Sequence, residues 1–229
     1  MELIKNIFYN YKVNTKKLLD YGFILYEDIY TYKIDILNDT FEMRITIKNN
    51  EVNAKLFDKD TLEEYPLIFM DRVTGEFVGK AREAFQEVLL DVRNKCFNKT
   101  LYPSAQANRI NKYIKKEYDV DPEFPWAKYT SYGVYRNNSN GLWFGLIMDV
   151  MDNKLAPNVK GKVVINIKPN KSLFNDLLKV EGIYPGWHMN KKSWLSISLD
   201  DTLSDEFVQS LIDSSYNETV NIKKTKSSR

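Results

Sequence analysis

Residues Gly182–Leu199 read GIYPGWHMNKKSWLSISL. Two apolar-rich runs, Tyr184–Met189 and Trp194–Leu199, flank the polar turn Asn190–Ser193, a pattern that predicts a β-hairpin. The stretch holds the chain's single histidine, His188, and two of its four tryptophans, Trp187 and Trp194. Trp194 and Ile197 are expected to pack inward, leaving the tip from His188 to Lys192 as the exposed part. A dense aromatic and basic turn of this kind is either a contact surface or a heavily used corner of a core.

Working outward, the flanking sequence adds strands and helices in an order that is not strict βαβ alternation. Tyr132–Arg136 and Trp143–Val150 read as strands joined by the turn Asn137–Gly141, and Val163–Lys168 as a strand ended by Pro169. Ser172–Lys179 is predicted as a helix with Leu173, Phe174, Leu177 and Leu178 inward. Ser204–Ser215 is predicted as a closing helix capped by Ser204. Upstream, Ser104 caps a helix whose apolar side carries Ile110, Tyr113 and Ile114. Its other side carries Arg109, Lys112, Lys115 and Lys116. Antiparallel pairing in an α+β domain is the expected architecture.

The first 99 residues repeat the mixture. Leu3–Tyr9 and Thr15–Tyr21 are short helices, the second stopped by Gly22. Phe23–Tyr26, Tyr30–Leu37, Phe41–Lys48 and Glu51–Asp58 read as strands. In the third of these, Phe41, Met43, Ile45 and Ile47 alternate with polar residues, and Asn49-Asn50 fits a tight two-residue turn. Asp58–Glu64 is a polar loop, and Tyr65–Met70 is read as a further strand. Phe77–Phe97 is a helix with Phe77, Ala81, Ala84, Phe85, Val88, Leu89, Val92 and Phe97 inward. Asn98–Pro103 is the expected linker. The domain boundaries are therefore 1–99 and 100–220, followed by a basic tail, 221–229, expected to be disordered.

Composition excludes several classes. The chain has 229 residues, 43% hydrophobic and 28% charged, with 15 Tyr and 12 Phe. No run approaches the roughly 20 apolar residues of a membrane helix. The start, MELIKNIFYNYK, lacks the long apolar core of a secretory signal. The single cysteine, Cys96, has no partner for an internal disulfide, so a reducing cytoplasmic setting is expected. Net charge is +2. Residues 1–99 carry 15 basic against 17 acidic residues and residues 100–229 carry 18 against 14, so the second half is the better candidate to meet a polyanion.

No catalytic constellation is visible. A serine triad would have to use His188, and no GxSxG elbow presents a serine. One Cys and one His do not make a zinc site. Val159-Lys160-Gly161-Lys162 lacks the preceding glycines of a phosphate loop, and there is no GxGxxG. The acidic loop Asp58–Glu64 lacks the glycine of a Ca²⁺ loop. Asp200-Asp201 and Asp119/Asp121/Glu123 read as caps and solvated turns. No catalytic residue, metal or cofactor is expected.

From Pro122 to Val220 the chain resembles the MmcQ/YjbR family. The resemblance rests on Phe124-Pro125-Trp126, Tyr132–Tyr135 (YGVY), Trp143–Val150 (WFGLIMDV), Val163–Lys168 (VVINIK), Glu181–Trp194 (EGIYPGWHMNKKSW) and Asp205–Tyr216 (DEFVQSLIDSSY). With the basic helix before it, the similar region spans about 104–220. The first 99 residues resemble an N-terminal extension carried by some longer members. The resemblance implies a frataxin- or CyaY-like fold, an antiparallel sheet flanked by helices, and the family's label of DNA-binding protein. Frataxin-like iron binding does not carry over, because that chemistry uses an acidic helix edge and the helix here is basic.

Two functional readings follow. In the first, residues 100–229 bind DNA without catalysis. Lys191 and Lys192 would meet phosphates beside Trp187 and His188, whose rings could stack. Arg109, Lys112, Lys115 and Lys116 could extend a positive track, and so could Lys168 and Lys171 if they face the same way. In the second, the chain is a protein- or small-ligand-binding module, favoured by its aromatic richness and near-neutral charge.

Overall fold

A computed structural model describes residues 2–150 and 162–220. The basic tail and Val159–Gly161 lie outside the described residues. The chain divides into two compact units, Met1–Thr100 and Leu101–Arg229.

The first unit contains α1 (Glu2–Phe8), β1 (Tyr11–Val13), α2 (Thr15–Tyr21), β2 (Ile24–Tyr26), β3 (Ile29–Ile36), β4 (Phe41–Lys48) and β5 (Glu51–Asp58). A 3₁₀ turn (Pro66–Phe69), α3 (Glu76–Cys96) and β6 (Phe97–Lys99) complete it. Strands β2-β3-β4-β5 form an antiparallel meander. The alternation in β4 is realised, with Phe41, Met43, Ile45 and Ile47 buried in one cluster with Ala81, Phe85, Leu89 and Val92 of α3. Asn49 and Asn50 take φ of 49° and 71°, the left-handed pair that a primed two-residue turn needs. Asn14 caps α2, and Gly22 ends it at φ 115°. Cys96 is buried, and desolvation pushes its thiol up to about 11.

Four sequence expectations in this unit and at its boundary give way to the structure. Tyr65–Met70 is not a strand: Pro66 cannot donate to a ladder, and Pro66–Phe69 curl into the 3₁₀ turn. Phe77 is 51% exposed, with its ring against those of Phe41 and Tyr65. Phe97 is buried, but on β6 and not on the helix. Asn98–Pro103 is not a free linker. Phe97–Lys99 pair with Tyr11–Val13, and Tyr102 is fully buried in the second unit.

The second unit contains α4 (Ala105–Tyr118), β7 (Gly133–Arg136), β8 (Trp143–Asp149), β9 (Val163–Ile167), α5 (Phe174–Leu177), β10 (Ile183–Pro185), β11 (Leu195–Ser198) and α6 (Asp205–Val220). Its sheet has the order β10-β11-β9-β8-β7, and every neighbouring pair is antiparallel. One face meets the helices: Tyr135, Ile147, Ile165, Ile167 and Ile197 share a core with Ala107, Ile110 and Ile114 of α4 and Val208, Leu211 and Ile212 of α6. Ser104 caps α4, its hydroxyl accepting from the Ala107 N–H at 3.1 Å. The predicted α5 shortens to one turn and leaves Leu173 49% exposed. The predicted hairpin forms, but its register differs: Ile183, outside the predicted strand, lies opposite Ile197, the strands shorten to Ile183–Pro185 and Leu195–Ser198, and the loop is longer.

Tyr102 lies over the backbone of Gly133. Its hydroxyl is 2.9 Å from that of Tyr135, which donates to Asn111 Oδ1 at 2.8 Å. A Cβ on Gly133 would sit 1.9 Å from the Tyr102 hydroxyl. At the edge of the same core, the Lys162 ammonium meets Asp200 at 2.6 Å. Burial works against ionising Asp200, but Lys162 and the Thr202 hydrogen bonds outweigh it and hold the carboxyl down at about 2.

Two predictions follow from these contacts. Gly133→Ala is expected to cost about 2 kcal/mol and to lower the melting temperature by about 7 °C. Adding Tyr102→Phe is expected to restore part of that loss in a double-mutant cycle. An unchanged melting temperature for Gly133→Ala contradicts the close approach. Because the folded value of Asp200 lies below its ordinary 3.8, its stabilisation is present above about pH 4 and is lost as pH falls toward 2. Asp200→Asn is therefore expected to lose about 2 kcal/mol in denaturant unfolding at pH 7 and nearly nothing at pH 2.

Candidate functional site

Among the described residues, no helix packs on the other face of the second sheet. Its side chains are Val134, Leu146, Met148 and Val164, joined by Trp187 and flanked by Trp126, Tyr132, Trp143, Tyr184 and Met189. Trp143 reaches this face because β8 carries one extra residue. Tyr135 pairs with Gly145 and Arg136 with Trp143, so Phe144 is unmatched. The bulge resets the alternation: Phe144 and Ile147 enter the helix-side core, while Trp143, Leu146 and Met148 share the open face.

The loop between β10 and β11 folds back over this face and is fastened there by a buried polar pair. Asn166 on β9 donates from Nδ2 to the Trp187 carbonyl at 3.0 Å. Ser196 on β11 accepts from the Trp187 N–H at 2.7 Å and donates to Asn166 Oδ1. Every polar atom of the anchor thus has a partner, as a buried network requires. Gly186 is the hinge of this return. Its N–H donates to the Trp194 carbonyl at 2.8 Å, and a Cβ there would meet Trp194 Cβ at 2.7 Å. Two residues further on, His188 sits in the left-handed region at φ 54° with its side chain exposed.

Between this loop and the Trp126–Tyr132 segment lies a cleft of about 280 Å³. It is lined by Trp126, Tyr129, Tyr132, Trp143, Leu146, Met148, His188 and Met189. Its aromatic wall is ordered by edge contacts: Trp126 meets Trp143 at 5.9 Å and Tyr132 at 6.3 Å, while Tyr129 stacks on Tyr132 at 4.7 Å. Cations stand over two of these rings, Arg136 at 5.3 Å from Trp143 and Lys128 at 5.7 Å from Tyr129. A second groove, of about 470 Å³, shares Trp143 and Met189 with the first and continues past Arg136, Lys168 and Trp194.

The residues singled out in the sequence have divergent fates. Trp187 is buried at 9% exposure, so its ring is not a stacking platform. Trp194 is only half-buried and lines the second groove, contrary to the inward packing expected for it. His188 is on the rim of the cleft. On α4, Arg109 is engaged by Asp205 at 2.6 Å and by Asp201, which raise its pKa. Lys115 bridges Asp119 at 2.8 Å and Asp121 at 2.7 Å, which raise its pKa to about 12. Lys112, Lys116, Lys171, Lys191 and Lys192 are exposed and make no ion pair among the described residues. The helix with Arg109 to Lys116 covers one face of the sheet, whereas the loop with Lys191 and Lys192 is anchored on the other. These cations therefore do not join into the single track that the sequence suggested. Among the described residues no group of three or more Asp, Glu, His or Cys is placed to hold a metal ion, and no helix is long and apolar enough to cross a membrane.

The comparisons fall on this unit. The YjbR family model matches residues 116–218. The protein YyaQ of Bacillus subtilis (strain 168) is 37% identical over 111 residues, which is 48% of this chain and 94% of YyaQ. The chain belongs to the YjbR family. YbdF of Escherichia coli O157:H7 is 38% identical over 65 residues, 28% of this chain and 52% of YbdF. A crystal structure of a Pseudomonas syringae protein, 37% identical, aligns with a TM-score of 0.47 over 48% of this chain and 96% of that one. Every residue lining the cleft falls within the YjbR match, and the first unit lies outside it.

The YjbR reading of the sequence did not single out Trp126, Tyr129, Tyr132, Trp143, Met148 and Met189 as a site. Their common position depends on the bulge at Phe144 and on the loop anchor, neither of which has a local sequence signature. Gly186→Ala is expected to lift the loop at a cost of about 1–3 kcal/mol. The Trp187 indole signal should shift in NMR spectra, and acrylamide should quench tryptophan fluorescence more strongly. Unaltered spectra contradict the hinge.

Proposed function

We propose that the YjbR unit is a non-catalytic binding domain that takes the flat apolar part of a small ligand in the Trp126–Trp143 cleft. The observation that carries this reading is the set of partly buried side chains, Trp126, Tyr132, Trp143 and Met189, left around an open sheet face with Met148 beneath them. Such a surface loses water favourably to a planar partner, and its rings are already held in place by one another. Met148 and Met189 add deformable, polarisable walls that suit a range of flat shapes.

A second reading is contact with DNA phosphates, as the family label implies. It draws support from Lys112, Lys116, Lys191 and Lys192, which are exposed and without acidic partners among the described residues. It is weakened by Arg109 and Lys115, whose charges are already engaged by carboxylates.

Titration with naphthalene-2-carboxamide, followed by the indole N–H signals in NMR spectra, tests the first reading. Saturable shifts of the Trp126 and Trp143 signals are expected, with a Kd of about 1 mM or tighter. Trp143→Ala should abolish them. Shifts that never saturate, or that survive Trp143→Ala, overturn it. Anisotropy of a labelled duplex at low salt tests the second reading. DNA binding requires an affinity that falls steeply with salt and weakens in Lys191→Glu/Lys192→Glu.

A further inference from the structure

The cleft does not end at Trp143. The second groove shares Trp143 and Met189 with it, so the two form one trough with an aromatic end and a polar end. The polar end is asymmetric in charge. It is lined by Arg136 and Lys168, and among the described residues no carboxylate lines either part. Arg136 is shared with Glu123 at 2.8 Å, an exposed pair that is weak in water. Lys168 is different. Its backbone N–H is bonded to the Ser215 hydroxyl at 2.8 Å, which pins the residue at the end of β9. Lys168 as a residue is half-buried and makes no ion pair among the described residues. Glu218, on the neighbouring helix, is instead engaged by Asn170 Nδ2 at 3.1 Å.

A cation at the mouth of an aromatic trough, with no acid among the described lining residues, selects for negative charge on the ligand. We propose that the trough binds a planar aromatic anion. The ring system lies against Trp126, Trp143 and the two methionines, and the carboxylate or phosphate points past Trp143 to Lys168. Arg136 is a secondary partner, freed from Glu123 when the anion arrives. This inference rests on the cleft being a ligand site and names the class of molecule that fills it. The attraction is partly screened at a half-buried site, so its expected size is modest, about tenfold in affinity between an anion and its neutral isostere.

The experiment compares naphthalene-2-carboxylate with naphthalene-2-carboxamide, which share one ring system and differ in charge. Each is titrated into the full chain and followed by NMR. The carboxylate is expected to bind about tenfold tighter. Lys168→Met should level the two by weakening the carboxylate alone, and Lys168→Arg should keep the preference. Raising salt should erode the preference as well. Equal binding of the two probes by the wild-type chain overturns the anion inference while the cleft reading stands. Binding of neither overturns both. A preference that survives Lys168→Met overturns the assignment to Lys168. Displacement of the carboxylate by micromolar oligothymidylate, when thymidine monophosphate at the same concentration does not displace it, makes the trough a single-strand nucleic-acid site and overturns the small-ligand class.

Discussion

The contact on which the second unit's open face depends is the pair of hydrogen bonds between the Asn166–Ser196 couple and the backbone of Trp187. Two polar side chains at the centre of a sheet would normally be a liability, since each unmade hydrogen bond there costs about 1–3 kcal/mol. Here they turn that liability into an address. The Trp187 backbone supplies both the donor and the acceptor for this pair, which fixes the register in which the loop returns over the sheet. Trp187 then covers the face where β9 and β11 run, and His188 and Met189 are delivered to the edge of what stays open. An apolar pair at 166 and 196 would leave the return of the loop to the packing of Trp187 and the Gly186 hydrogen bond, without the polar contacts that fix its register.

The charges of α4 follow a different logic. Arg109 and Gln106 both reach the segment from Asp201 to Asp205, tying the start of the helix to the turn before α6. Asp205, lowered by its hydrogen bond with Arg109, is also in the first turn of α6, where a negative charge is favoured by the helix dipole. The arginine is thus a fastener between two helices. In a linear sequence it reads as part of a basic stripe, because its partners lie more than 90 positions away.

That distance marks what sequence reasoning reached and what it did not. The β4 alternation, the Asn49-Asn50 turn, the Gly22 stop and the Ser104 cap were legible because each is settled within a few residues of itself. The α+β character and the antiparallel pairing followed from element order. Tyr65–Met70 misled because its apolar content outweighed the one residue, Pro66, that forbids a ladder. Asn98–Pro103 misled because linker-like polarity hides a strand whose partner, β1, lies at the other end of the unit. The trough was the least legible part. Trp143 could be placed on the open face only by knowing that Phe144 is the extra residue in β8, and a bulge of this kind is written in the pairing of two strands and not in either alone.

The bulge also explains why the open face is aromatic at one end and polar at the other. Without Phe144 as an extra residue, the alternation set by Leu146 and Met148 would put position 143 on the helix side, where Phe144 now packs with Tyr135 and Tyr216. One insertion therefore serves both faces. It fills the core beside α6 with Phe144, and it turns Trp143 outward to stand between the aromatic cleft and the groove with Lys168. Trp143 is the partition of the trough as well as part of its wall. A ligand long enough to pass it meets a lysine whose backbone is bonded to Ser215, and Ser215 in turn donates its hydroxyl to the Phe144 carbonyl at 2.6 Å. The residue that creates the partition and the residue that holds the cation are thus linked through a single serine on α6, which makes the spacing between ring site and charge site a property of the core and not of the loops.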